Sequence, residues 1–325
     1  MTKTTHLLAA TALTAALAAP SFAETWDMPL AYPATNFHSE TAAGFATCVA
    51  DATGGEIEIV AHPNGSLFSG GDIKRAVQTG QALIGERLLS AHANENALFG
   101  YDSVPFLATS FDASVKLAEA AKPALSELLE SQNLVHLYSV PWPPQGLYAP
   151  KEIATVEDLE GLKFRAYNAA TARLAELAGM QPVQIEAAEL SQALATGVAE
   201  AFVSSGSTGY DEKVWEHLSH FYEADAWLPR NTVFANKDAW DGLSAEQQAA
   251  MQDCAAAAAE EGLAKSRELT SFYLDGLKEG GMTVAPPSDE LREGLAEIGE
   301  TMTAEWLEAA GEKGQSIIDA FKAGN

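Results

Sequence analysis

Apolar residues fall every three or four positions along residues 41–53, with Ala42, Phe45, Ala46, Val49 and Ala50 on one face. Gly54-Gly55 closes that pattern, and the alternating run Glu56-Ile57-Glu58-Ile59-Val60 follows. A helix feeding a strand is expected there. The succession recurs: helical patterns over 71–79, 113–132, 169–178 and 189–196 precede apolar runs at 82–84, 134–140, 182–185 and 200–203. Short strands between longer helices predict α/β layers with largely parallel sheets, and the length favours two lobes. Residues 244–279 break the rhythm. They contain no proline and open with Ser244, Glu246 and Gln247 in a capping arrangement, which predicts a helix about 45–50 Å long, enough to reach both lobes. The small residues Ala255 to Ala259 argue against a coiled-coil seam. A short strand at Val284-Ala285 and an amphipathic stretch through Leu291, Leu295, Ile298, Met302, Trp306 and Leu307 end the chain.

The 325 residues are 47% hydrophobic, enough for one large core or two moderate ones, so the chain is not disordered. Nineteen basic against 45 acidic residues give a net charge of −26, which repels nucleic-acid backbones and anionic lipid, so no nucleic-acid partner is expected. Residues 1–23 carry Lys3, an apolar run from Leu7 to Ala19 and the small-residue site Ser21-Phe22-Ala23, which predicts a secretory signal cleaved before Glu24 and a periplasmic protein without stable membrane insertion. That apolar run is shorter than the ~20 residues a membrane anchor needs. Cys48 and Cys254 have no zinc or redox spacing and form either one disulfide or none.

Several chemistries are missing their residues. No pair of histidines brackets a glutamate at the spacing of a zinc protease, and 204–209 has the wrong register for a hydrolase nucleophile. Phosphate-cradling glycine loops are likewise absent, so neither metal nor cofactor is expected. The run 161–168 reads as a strand that delivers Arg165 at its C-terminal end, where open α/β sheets bind ligands and where a guanidinium either clamps a carboxylate or serves a structural ion pair. Trp142 and Tyr148 flank the stiff Pro143-Pro144 crossing, as core packing or as a stacking wall.

The leader, the alternating lobes, the long helix and the phrase Asp158-Leu159-Glu160-Gly161-Leu162-Lys163-Phe164-Arg165 together resemble the DctP-type extracytoplasmic solute-binding proteins of TRAP transporters. Supporting stretches lie at 53–59, 72–80, 104–107 and 188–198. The resemblance implies a two-lobed periplasmic-binding-protein fold of α/β class with a lobe-spanning helix, lobe I being 24–141 plus 232–268 and lobe II 142–231 plus 269–325. It also implies a monomer that closes over a small organic acid and passes it to small and large membrane permease subunits. Arg165 matches the family's carboxylate-clamping arginine, and Glu86 matches a first-lobe strand end that faces the ligand, either ionised toward an N–H or protonated toward an oxygen. Asn168, Asn36 and His38 are further expected ligand contacts. Gln145 stands where many relatives carry a second arginine, and the segment ending in Ser204 and Ser205 lacks the usual asparagine, which argues against a dicarboxylate. Trp142, Tyr148, Tyr167, Phe202 and Trp227 are expected to enclose an apolar or ring-bearing body, so a monocarboxylate is expected. An ABC-type receptor and a secreted two-lobed enzyme are the alternatives.

Overall fold

The computed structural model describes residues 23–323, so the expected leader lies outside the described residues except for Ala23. The chain begins with β1 (Glu24–Pro29), α1 (Phe37–Ala52) and β2 (Ile57–His62), and the two strands pair in parallel with Trp26 opposite Ile59. Asn36 caps α1 by accepting from the His38 backbone N–H, and Phe37, Ala42, Phe45 and Val49 turn inward. α2 (Ile73–Gln78), β3 (Ile84–Leu88), α3 (Phe111–Ser131) and β4 (Leu134–Pro141) complete the first pass through the first lobe.

The chain then crosses into the second lobe. There β5 (Gln145–Ala149), β6 (Lys163–Ala166), α4 (Ala169–Leu177), β7 (Gln181–Gln184), α5 (Leu190–Ala195), β8 (Ala201–Ser205), α6 (Gly206–Asp211) and β9 (His220–Tyr222) follow one another. It returns through β10 (Arg230–Asn236), which lies between β3 and β4, antiparallel to both. The two crossings run side by side, with Trp142 N–H donating to Pro229 O at 2.8 Å and Gln145 N–H to Trp227 O at 3.0 Å. After α7 (Lys237–Gly242) comes α8 (Ala245–Glu279), whose capping box is made by Ser244 and Gln247. α8 packs on α1 and β4 of one lobe and on α6 and β11 (Thr283–Ala285) of the other. α9 (Asp289–Ala323) lies against both α3 and α4 and is broken at Gly311, where φ is 60°.

The second-lobe sheet has the order β11-β9-β5-β8-β6-β7. The expectation of largely parallel sheets is corrected: the β6 to β7, β6 to β8 and β9 to β11 pairs are parallel, but β5 runs antiparallel to both neighbours and β10 makes the first-lobe sheet antiparallel. The reversed strands are the ones that enter or leave a lobe, so no helical crossover fixes their direction. Cys48 and Cys254 form a disulfide that joins α1 to α8 across 206 residues of chain. No helix among the described residues is long and apolar enough to cross a membrane.

Candidate functional site

Both crossings and the facing strand ends converge on one cavity, with about 420 Å³ of space free of protein atoms including its mouth. The first lobe contributes Tyr32, Arg87 and Leu88. Trp142 and Pro229 come from the crossings, and Gln145, Arg165, Tyr167, Glu186, Ala187, Ser204 and Thr208 from the second lobe.

Arg165 is buried at the end of β6, its guanidinium 5.2 Å from the Tyr167 ring centroid. Its Nε donates to Ile185 O at 2.9 Å, and neither terminal nitrogen has a hydrogen-bond acceptor among the described residues. Burial lowers its proton affinity, so an anion brought to those nitrogens would relieve a desolvated charge. Gln145 is oriented by a relay. The Trp227 indole N–H, which can only donate, gives its hydrogen to Tyr167 Oη at 3.0 Å, and that phenol donates to Gln145 Oε1 at 3.1 Å. The Gln145 amide nitrogen is left facing Pro143 O at 3.1 Å, with a second N–H for the cavity.

Arg87 is the second cation. Its Nη2 donates to Glu186 Oε1 at 2.9 Å across the lobes, while its buried Nε has no partner among the described residues. Gly70 permits that pair, because a Cβ there would lie 2.5 Å from Glu186 Oε2 and 2.6 Å from Arg87 Nη1. Tyr32, pushed up to about 12 chiefly by burial, stays a neutral phenol. Two guanidinium groups and one carboxylate thus face the cavity.

Of the residues expected at the ligand, Trp142, Gln145, Arg165, Tyr167 and Ser204 line this cavity. The others lie elsewhere. Glu86 sits behind the wall, accepting from the Asn231 amide with His38 Nδ1 at 3.7 Å, and Asn231 in turn accepts from Trp142 Nε1 at 2.8 Å. Burial pushes Glu86 up to about 7 and holds His38 well below the usual histidine range. The strand pleat therefore turns Arg87 toward the cleft and Glu86 away from it. Asn36 reaches across the lobes to Asp211 Oδ2 at 2.7 Å. Asn168 caps α4 and donates to Ser90 Oγ at 3.0 Å. Tyr148 stacks on Phe202 in the second-lobe core, with ring centroids 4.3 Å apart. Ser205 is buried beneath the site, and Trp227 acts through Tyr167. Arg87, Glu186, Tyr32 and Thr208 were not among the expected contacts. Strand alternation puts Arg87 on the face opposite Glu86, but with both faces of β3 buried the sequence does not tell which of them meets the cleft.

A family model, bacterial extracellular solute-binding protein, family 7 (DctP), matches residues 31–310. One similar solved structure is a marine metagenome TRAP solute-binding protein from an unidentified microbe, specific for pyroglutamate and holding co-purified pyroglutamate. It is 55% identical, with a TM-score of 0.92 over 93% of this chain and 99% of that one. DctP6, a pyroglutamic-acid-binding extracytoplasmic solute receptor of Bordetella pertussis, is 47% identical with a TM-score of 0.91 over 92% and 100% of the two chains. The ectoine/5-hydroxyectoine-binding periplasmic protein UehA of Ruegeria pomeroyi is 27% identical over 67% of this chain, a match that spans 64% of UehA's own length.

Proposed function

The chain belongs to family 7 of the bacterial extracellular solute-binding proteins, the DctP receptors of TRAP transporters, and on that premise we propose that it captures pyroglutamate or a closely related cyclic amide monocarboxylate. The observation that carries this reading is the charge inside the cavity: Arg165 and Arg87 against the single acid Glu186, a net of one positive charge for one carboxylate. Arg165 clamps that carboxylate with its two open terminal nitrogens. The Gln145 N–H and the Thr208 hydroxyl, which itself accepts from Ser204, supply hydrogen bonds to the amide carbonyl, and Trp142 with Tyr167 walls the ring. Pyroglutamate in two relatives above 45% identity points to the same chemistry.

Capture proceeds by closure, without turnover. Ligand contacts drawn from both lobes favour the closed form by their differential affinity, and the paired crossings with α8 and α9 give the lobes their hinge. The receptor works in the periplasm after loss of its leader and hands the solute to TRAP permease subunits. A thermal-shift panel of ligand-stripped protein tests this. Pyroglutamate at a hundredfold excess over Kd should add about 2.7 kcal/mol of apparent stability. A shift with ectoine or succinate and none with pyroglutamate would overturn the assignment.

A further inference from the structure

Glu186 is the one carboxylate among the residues lining the cavity. Its Oε1 is taken by Arg87 at 2.9 Å, and its side chain also faces the Glu189 backbone N–H in a capping box; an ionised carboxylate offers about four acceptor positions, so lone pairs remain for the cavity. Oε2 is held in place, pressed against the backbone at Gly70, where no side chain would fit. Most of the remaining polar lining offers donors: the Arg165 terminal nitrogens, the Gln145 amide and the Thr208 hydroxyl, which accepts from Ser204. A ligand that carries an N–H beside its carbonyl therefore has one strong acceptor to meet.

We infer that Glu186 is the specificity-determining residue of this cavity: the lone pairs left over from Arg87 and the capping box accept the ring N–H of a cyclic amide, and its charge rejects a second carboxylate. This rests on the cyclic-amide reading above and adds to it the group that reads the N–H. Glu186 belongs to the second lobe and Arg87 to the first, so the reader is assembled only when the lobes meet. A ring oxygen in place of the N–H would put two acceptors face to face, leaving those lone pairs of a partly desolvated carboxylate unmet.

Calorimetry on the mature protein stripped of solute separates the cases, with three probes: L-pyroglutamate, the lactone 5-oxotetrahydrofuran-2-carboxylate, and glutarate. The wild type should prefer pyroglutamate over the lactone at least tenfold and show no saturable heat with glutarate. In Glu186→Gln the ratio should fall below threefold, because the new amide can turn either its oxygen or its NH2 to the ring, and glutarate should bind to the freed Arg87. Equal binding of the two rings by the wild type, or an unchanged ratio in Glu186→Gln, overturns the role of Glu186 while the cyclic-amide reading stands. Binding of glutarate with no response to pyroglutamate overturns both.

Discussion

Arg165 combines burial with open valences: one hydrogen bond to Ile185 O at Nε and two terminal nitrogens without acceptors among the described residues. A lysine there would keep the charge but lose the planar fork, so Arg165→Lys should weaken pyroglutamate binding by about tenfold or more and Arg165→Ala by about a hundredfold, read by calorimetry. Binding within twofold of wild type in both variants would remove Arg165 from the site. Glu86 makes a different prediction. Burial raises it from 4.5 to about 7, against the opposing hydrogen bond from Asn231. The folded protein thus keeps a proton that the unfolded chain has already lost over that interval. The resulting stability is complete below the unfolded value and is lost as pH rises through about 7. Urea unfolding of wild type and Glu86→Gln should therefore diverge with rising pH, the wild type losing on the order of 2–3 kcal/mol relative to the variant between pH 4.5 and 8. Parallel stabilities at pH 5 and pH 8 would contradict a protonated, buried Glu86. Comparison with the variant cancels the other shifted groups, among them Asp102, pushed up to about 7, and His136, held down at about 4.

Among the elements, the long helix was the most legible, since its cap residues and the lack of proline over 35 residues carry the information locally. β3 was the least. All five of its residues, Ile84 to Leu88, are buried, so no polar face marks the register, and a one-residue slip exchanges Glu86 for Arg87 at the cavity. Strand direction was illegible for a related reason: the partners of β5 and β10 are set by long-range crossings rather than by neighbouring sequence. Glu186 sits in an acidic stretch that reads as solvated surface, and only the folded chain brings Arg87 to it from 99 positions away. Tyr148, an aromatic beside the crossing, lies one strand face too deep and packs on Phe202. The disulfide is also an element-scale feature, pinning α8 to α1 well before α8 enters the second lobe. Reduction should lower unfolding free energy by about 2–5 kcal/mol. Affinity should stay unchanged, because neither cysteine lines the cavity. An unfolding midpoint indifferent to reductant would contradict that contribution.

At the scale of the whole molecule, the polar contacts between the two lobes include Asn36 with Asp211 and Ser207, Asn168 with Ser90 and Ser103, and Arg87 with Glu186. Burial at this junction pushes Asp211 up to about 6, with the Asn36 amide opposing the rise. The Asn36 and Asn168 contacts lie outside the cavity and favour closure whatever is bound, whereas the Arg87 pair belongs to the cavity wall and ties closure to the solute's charge. A receptor built this way should change shape only for a ligand that satisfies both arginines and Glu186 together. Small-angle X-ray scattering of the solute-stripped protein reads that coupling directly. Saturating pyroglutamate should contract the particle, and succinate at the same concentration should leave it as it was. Contraction with succinate and none with pyroglutamate would contradict the account.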